Sequence, residues 1–174
     1  MRKNKYMLSF LFLGLITFLC LSCASTEEAG RQLEDTKIGI GSTEIESGQT
    51  ADIPVNVYRV ASANPEEGGG MGGYHMRVEY TPGVIEVVDI AGGEAPFDTV
   101  LTKNINNAEG WAEFIGLQSN TNGPEGDFGI ALIKVKAIGE RGSNTELKTV
   151  IKDLIYTDGS PITAVPDDGS VNVK

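Results

Sequence analysis

From Thr36 onward, apolar and polar residues alternate in short runs separated by clusters of Gly, Pro, Asn and Asp. Alternation with a period of two marks a half-buried strand. It is clearest between Gly73 and Gly92, in GYHMRVEYTPGVIEVVDIAG. Tyr74, Met76, Val78 and Tyr80 fall on one side of a first strand, and His75, Arg77 and Glu79 on the other. After a Pro-Gly turn, Ile85, Val87, Val88 and Ile90 predict a largely buried second strand. The same reading places strands at Lys37–Gly41, Ala51–Val60, Tyr74–Tyr80, Ile85–Ala91, Thr99–Asn104, Trp111–Leu117, Asp127–Ile138, Glu146–Tyr156 and Gly169–Val173. Val150–Leu154 has mixed periodicity compatible with a helical turn and is assigned to strand. Nine short strands with frequent turns predict an all-β sandwich.

Local details refine this expectation. Ile53, Val55 and Val57 alternate with Pro54, Asn56 and Tyr58 to give one dry face, and Pro54 places that strand at an edge or a bulge. Phe128–Ile138 is apolar except at a few positions, chiefly Lys134 and Lys136, as suits a central strand. Ala63–Gly73 holds five glycines and reads as a mobile loop, and Ser119–Gly126 reads as a second long polar loop.

The N-terminus follows another pattern. Arg2, Lys3 and Lys5 precede an apolar run from Met7 to Leu21. At 15 residues it is shorter than the roughly 20 that cross a bilayer, so residues 1–22 read as a secretory signal. Small Ser22 before Cys23 resembles a bacterial lipoprotein processing site, with Cys20 where leucine is commonest; the alternative is an ordinary cut near Ala24. Acylation of Cys23 by two or three chains anchors a protein stably, where one chain does not. Residues 23–35 read as a polar tether and 36–174 as one folded domain. Removing residues 1–22 takes away three basic residues and no acid, leaving a net charge of −13. That charge repels nucleic acid and anionic headgroups. With Cys23 acylated, no thiol remains for a disulfide or for catalysis.

The domain resembles the cohesin family. The resemblance rests on GSTEIESGQTADIPVNV, on YTPGVIEVVDI, on Phe97-Asp98-Thr99, on Gly126-Asp127-Phe128, on Tyr156-Thr157-Asp158 and on Gly169-Ser170-Val171, in the family's order. It implies a nine-stranded jelly-roll sandwich that binds a dockerin, a small helical module, on one flat sheet face. Calcium is expected in that partner and no cofactor in this chain. In type I members the face comes from the family's strands eight, three, six and five. The matched positions here are Gly73 and His75, then Asp98, Val100 and Thr102, then Ile115 and Gln118, and finally Pro161. Asparagine and aspartate are usual at the first two, tyrosine at Thr102, leucine and glutamate at Ile115 and Gln118. The scaffold phrases are kept while most polar contact residues differ, so the bound helix is expected to be chemically unusual. Val100 and Ile115 point outward if Leu101 and Phe114 point inward, forming an apolar centre rimmed by His75, Gln118 and Asp98.

Other residues suggest less. His75 reads as a solvent-facing strand residue, and a lone histidine makes a poor transition-metal site. Tyr74 and Tyr80 alternate with the core, and Trp111 is expected to cap one end of it, which weakens a sugar-stacking strip. The acidic pairs Glu66-Glu67, Glu44/Glu46 and Asp167-Asp168 lack the order of an EF-hand loop and read as solvated surface. There is no Gly-x-Ser-x-Gly elbow or phosphate loop. The expectation is a lipid-anchored, extracytoplasmic, non-catalytic module for a dockerin-like partner. A carbohydrate-binding module, with polysaccharide as ligand, and a structural envelope lipoprotein are the alternatives.

Overall fold

The computed structural model describes residues 35–63 and 69–174. The signal segment, Cys23, the tether before Asp35, and Glu66 and Glu67 lie outside the described residues. Eleven strands are described: β1 (Thr36–Ile40), β2 (Thr43–Ile45), β3 (Thr50–Val60), β4 (Met71–Glu79), β5 (Ile85–Gly92), β6 (Thr102–Asn106), β7 (Trp111–Leu117), β8 (Gly126–Ala137), β9 (Asn144–Tyr156), β10 (Ala164–Asp167) and β11 (Gly169–Val173). They form an all-β sandwich: one sheet runs β10-β1-β3-β8-β5, the other β2-β11-β9-β4-β7-β6.

Two strands exceed the expected nine. β2 and β10 are short edge pieces that pair in parallel with β11 and β1. β10 contains Pro166 and buries none of its side chains fully, and β2 buries only Ile45. Neither carries an alternating signal, so the sheet edges they meet define them.

The core lies between the sheets. Ile53, Val55 and Val57 of β3 face Tyr74, Met76 and Val78 of β4, and all six are buried. Tyr74 stands at its centre, with ring centroids 5.5 Å from Phe97 and 5.9 Å from Phe114. Its hydroxyl donates to the Ile130 carbonyl across the sandwich at 3.0 Å. Ile130 is the residue skipped where the β3–β8 register shifts, between Val55↔Ala131 and Asn56↔Gly129. The bulge takes its carbonyl out of that ladder, and the tyrosine supplies a donor.

Several expectations are corrected. Of the two places expected for the Pro54 strand, the edge is wrong, since β3 is internal, while a bulge does follow at Val55/Asn56. The Pro54 carbonyl accepts from Gly41 N just where β1 ends, so its missing N–H falls beyond the β1 ladder. Val88 is 50% exposed, because a bulge between Val87 and Asp89 turns it out of the core. The glycine-rich loop ends earlier than expected: Met71, Gly72 and Gly73 are buried in β4. The irregular rhythm of Val150–Leu154 comes from a register shift in β9 opposite His75 and Met76. The unpaired side of β5 is also covered. The Asn107 side chain bonds both N and O of Val87, and Lys103 reaches Asp89 and the Ile90 carbonyl. Such plugs keep an edge from pairing with another chain.

Candidate functional site

The outward face of the six-stranded sheet is the candidate. Inward Phe114, Gly116, Tyr74 and Met76 fix the pleat, so alternate residues of β6, β7, β4 and β9 must point away from the core. The register then sets four cross-strand rows. At one end Leu117, Gly73 and Ile155 lie abreast. Next come Thr102, Ile115, His75 and Asp153. Asn104, Glu113, Arg77 and Val150 follow, and Asn106, Trp111, Glu79 and Lys148 close the face.

The first row is apolar because of its glycine. A Cβ on Gly73 would lie 2.4 Å from Leu117 Cδ2 and 3.6 Å from Ile155 Cδ1. The two aliphatic chains therefore lean together over the bare backbone and bury it, while Leu117 remains 51% exposed. Beyond them opens a depression of about 340 Å³, whose wall is Leu117, Ile155 and Tyr156 and whose rim includes Gln118, Asn120 and Thr157.

His75 of the second row stands between carboxylates of the second and third rows. His75 Nε2 lies 2.7 Å from Glu113 Oε1, and His75 Nδ1 lies 3.8 Å from Asp153, a carboxylate with 76% of its side chain exposed. In the lower rows the Arg77 guanidinium covers the Trp111 ring at 4.3 Å, and its Nε is 3.6 Å from Glu79. Trp111 Nε1 donates to Glu109 at 2.8 Å. Trp111 is thus on the outward face under Arg77 and does not cap the core. Its ring face is occupied by a cation, as suits a cation–π contact.

Of the expected contact residues, Gly73, His75, Thr102 and Ile115 come together in adjacent rows. Pro161 bridges Ile155 and extends the first row. Gln118 stands at its edge with both side-chain ends engaged, Nε2 donating to Met71 O and Oε1 accepting from Asn120 N. Val100 and Asp98 are corrected. β6 starts at Thr102, three residues later than expected, because Phe97 is drawn fully into the core. Val100 consequently packs against the core, and Leu101 is 64% exposed, the reverse of the expected phase. The Asp98–Thr99 backbone runs against Gly92 of β5, in the other sheet. Leu117, Glu113 and Arg77 were legible from the alternation that set Ile115 and His75 outward. Asp153 and Ile155 were hidden by the β9 shift.

Among the described residues, no group of three or more His, Cys, Asp or Glu could hold a metal ion. The face as a whole carries aliphatic groups between polar and charged ones. The chain matches the family described as cohesin domain over residues 36–173 and belongs to that family. No curated protein matches it in sequence. Among solved structures it is similar to a non-cellulosomal cohesin from the archaeon Archaeoglobus fulgidus, with TM-score 0.64 and 20% identity over 81% of this chain and 92% of that one. It is also similar to a type I cohesin–dockerin complex from Clostridium thermocellum, with TM-score 0.66 and 16% identity over 81% of this chain and all of that one (100%). The sixth cohesin of Acetivibrio cellulolyticus scaffoldin B, in complex with a mutant dockerin, gives TM-score 0.66 and 17% identity over 81% and 100%. These likenesses establish the fold.

Proposed function

We propose that this protein is a non-catalytic docking module that binds a dockerin-like partner on the outward face of β9, β4, β7 and β6, and that Cys23 anchors it by lipid to the outside of the cell. The carrying observation is Leu117 and Ile155 meeting over the bare backbone of Gly73, with Ile115 and the His75–Glu113 contact beside them. Apolar groups ringed by charge are how non-obligate interfaces are built, and solved relatives were captured with dockerins. Burying an aliphatic anchor contributes about 1.5–3 kcal/mol, so two or three of them support a stable complex.

Pull-down by the full chain from a panel of calcium-loaded dockerin modules tests this reading, with immobilised polysaccharides in parallel. Retention of a dockerin by the wild type and loss by Ile115→Asp is expected. Retention on polysaccharide alone contradicts it.

A further inference from the structure

On the five-stranded sheet, inward Ile38 and Ile40 of β1 and inward Val55 and Val57 of β3 put Lys37, Gly39, Asn56 and Tyr58 on the outer face. The register sets one polar row across four strands: Asp167, Gly39, Asn56 and Gly129. Glu94 closes that row, its Oε1 accepting from Gly129 N at 3.2 Å. Lys37 and Tyr58 pair in the row beside it. We infer that this face binds a neutral oligosaccharide, stacked on the Tyr58 ring and hydrogen-bonded along the polar row. The site lies on the other sheet from the docking face and does not depend on it.

Glycine shapes the site. A Cβ on Gly39 would lie 3.2 Å from Tyr58 Cε2 and 3.4 Å from Asp167 Oδ2. One on Gly129 would lie 3.4 Å from both Asn56 Oδ1 and Glu94 Oε1. Two bare backbone positions thus form a low floor between three polar side chains. The Tyr58 hydroxyl accepts from Asn56 Nδ2 at 3.2 Å, two residues back along β3, while Cε2 comes against Gly39. A ring that reaches both lies down along the sheet and, being half-buried, leaves its outer side to solvent. Trp111, by contrast, has its ring face taken by Arg77.

The lining selects the ligand. A depression of about 350 Å³ opens here, bounded by Lys37, Tyr58, Arg59, Asp127 and Asp167, within the range of small-ligand sites. Two cations and two carboxylates balance, so net charge draws in no ion. Donor and acceptor nevertheless stand side by side, with Lys37 Nζ 2.7 Å from Asp167 Oδ2. The bulge after Val57 holds Arg59 at φ 59°, and its N–H donates to Asp127 Oδ1 at 2.8 Å, which fixes that carboxylate beside the ring. A pyranose carries C–H groups on its faces and hydroxyls around its rim. The faces suit a tyrosine ring, and hydroxyls that both give and accept suit paired donors and acceptors. An ion or an aliphatic ligand would satisfy only one half of this lining. From Asp167 to Gly129 the row spans three strand spacings, about 14 Å, which calls for a short chain of sugars.

Titration of the isotope-labelled full chain with cellotetraose, xylotetraose or mannotetraose, followed by amide shifts, tests the inference. Glucose and tetragalacturonate serve as the monomeric and anionic controls. At least one neutral tetraose is expected to shift Gly39, Asn56, Tyr58 and Gly129, with both controls at least tenfold weaker. Tyr58→Ala should weaken binding at least tenfold and Tyr58→Trp should retain it. Lys37→Met combined with Asp167→Asn, two exposed positions, should weaken it at least fivefold without lowering the melting temperature. No shift at these amides with any neutral tetraose at millimolar concentration would overturn the inference. So would unchanged affinity in Tyr58→Ala or in the double variant, or controls that bind as well as the tetraose.

Discussion

Tyr74 joins the two sheets through one hydroxyl, and Tyr74→Phe tests what that bond contributes. The side chain is 2% exposed, and its hydroxyl donates to the Ile130 carbonyl at 3.0 Å. Removing the donor leaves that carbonyl unpaired inside the sandwich, at a cost of about 1–1.5 kcal/mol at neutral pH. The same burial pushes the Tyr74 hydroxyl up to about 12 from 10.0. The folded protein therefore keeps a proton that the unfolded chain releases above pH 10. The stabilisation is complete below pH 10 and is lost as pH rises towards 12. With about 1.36 kcal/mol per pKa unit, the wild type loses about 1 kcal/mol by pH 11 and about 2 by pH 12 relative to a chain without the group. The phenylalanine variant lacks this loss. Urea unfolding at pH 8, 11 and 11.8 should show the variant less stable at pH 8, level with the wild type near pH 11, and more stable above it. All other titrations cancel in the difference. A stability difference that stays constant across that range would refute the reasoning, as would a variant equal to the wild type at pH 8.

Two further outcomes follow from named contacts and a third from the proposed lipid anchor. Gly116→Ala places a methyl group 2.3 Å from Tyr74 Cζ; overpacking of this kind costs about 1–3 kcal/mol, visible as a lower urea midpoint. Val100→Asp puts a charge where the chain packs on the core, so it lowers the melting temperature, in contrast to Ile115→Asp on the outward face. Cys23→Ala abolishes incorporation of labelled palmitate and releases the protein from membranes in a fractionation assay.

The sandwich was legible because β7, β11 and most of β3 alternate with a period of two. β3, β7 and β11 lie within one residue of where hydrophobic rhythm placed them, and Phe114 and Ile115 took the expected sides. The misreadings have physical causes. Bulges at Val87/Asp89 and in β9 break the period of two, so Val88 and Ile155 could not be phased by counting. Val100 and Leu101 were inverted because Phe97 anchors the preceding turn and delays β6, which a local pattern cannot reveal. The apolar first row was half visible. Gly73 was marked, but its consequence, Leu117 and Ile155 meeting over it, depends on register between three strands distant in sequence.

The central claim is that the outward face of β9, β4, β7 and β6 receives the partner. Amide chemical shifts of the labelled protein during titration with a bound, calcium-loaded dockerin test it directly. The account predicts shifts concentrated at Gly73, His75, Ile115, Leu117 and Ile155. Shifts confined to Asp52, Leu132 and Lys134 on the opposite sheet would contradict it.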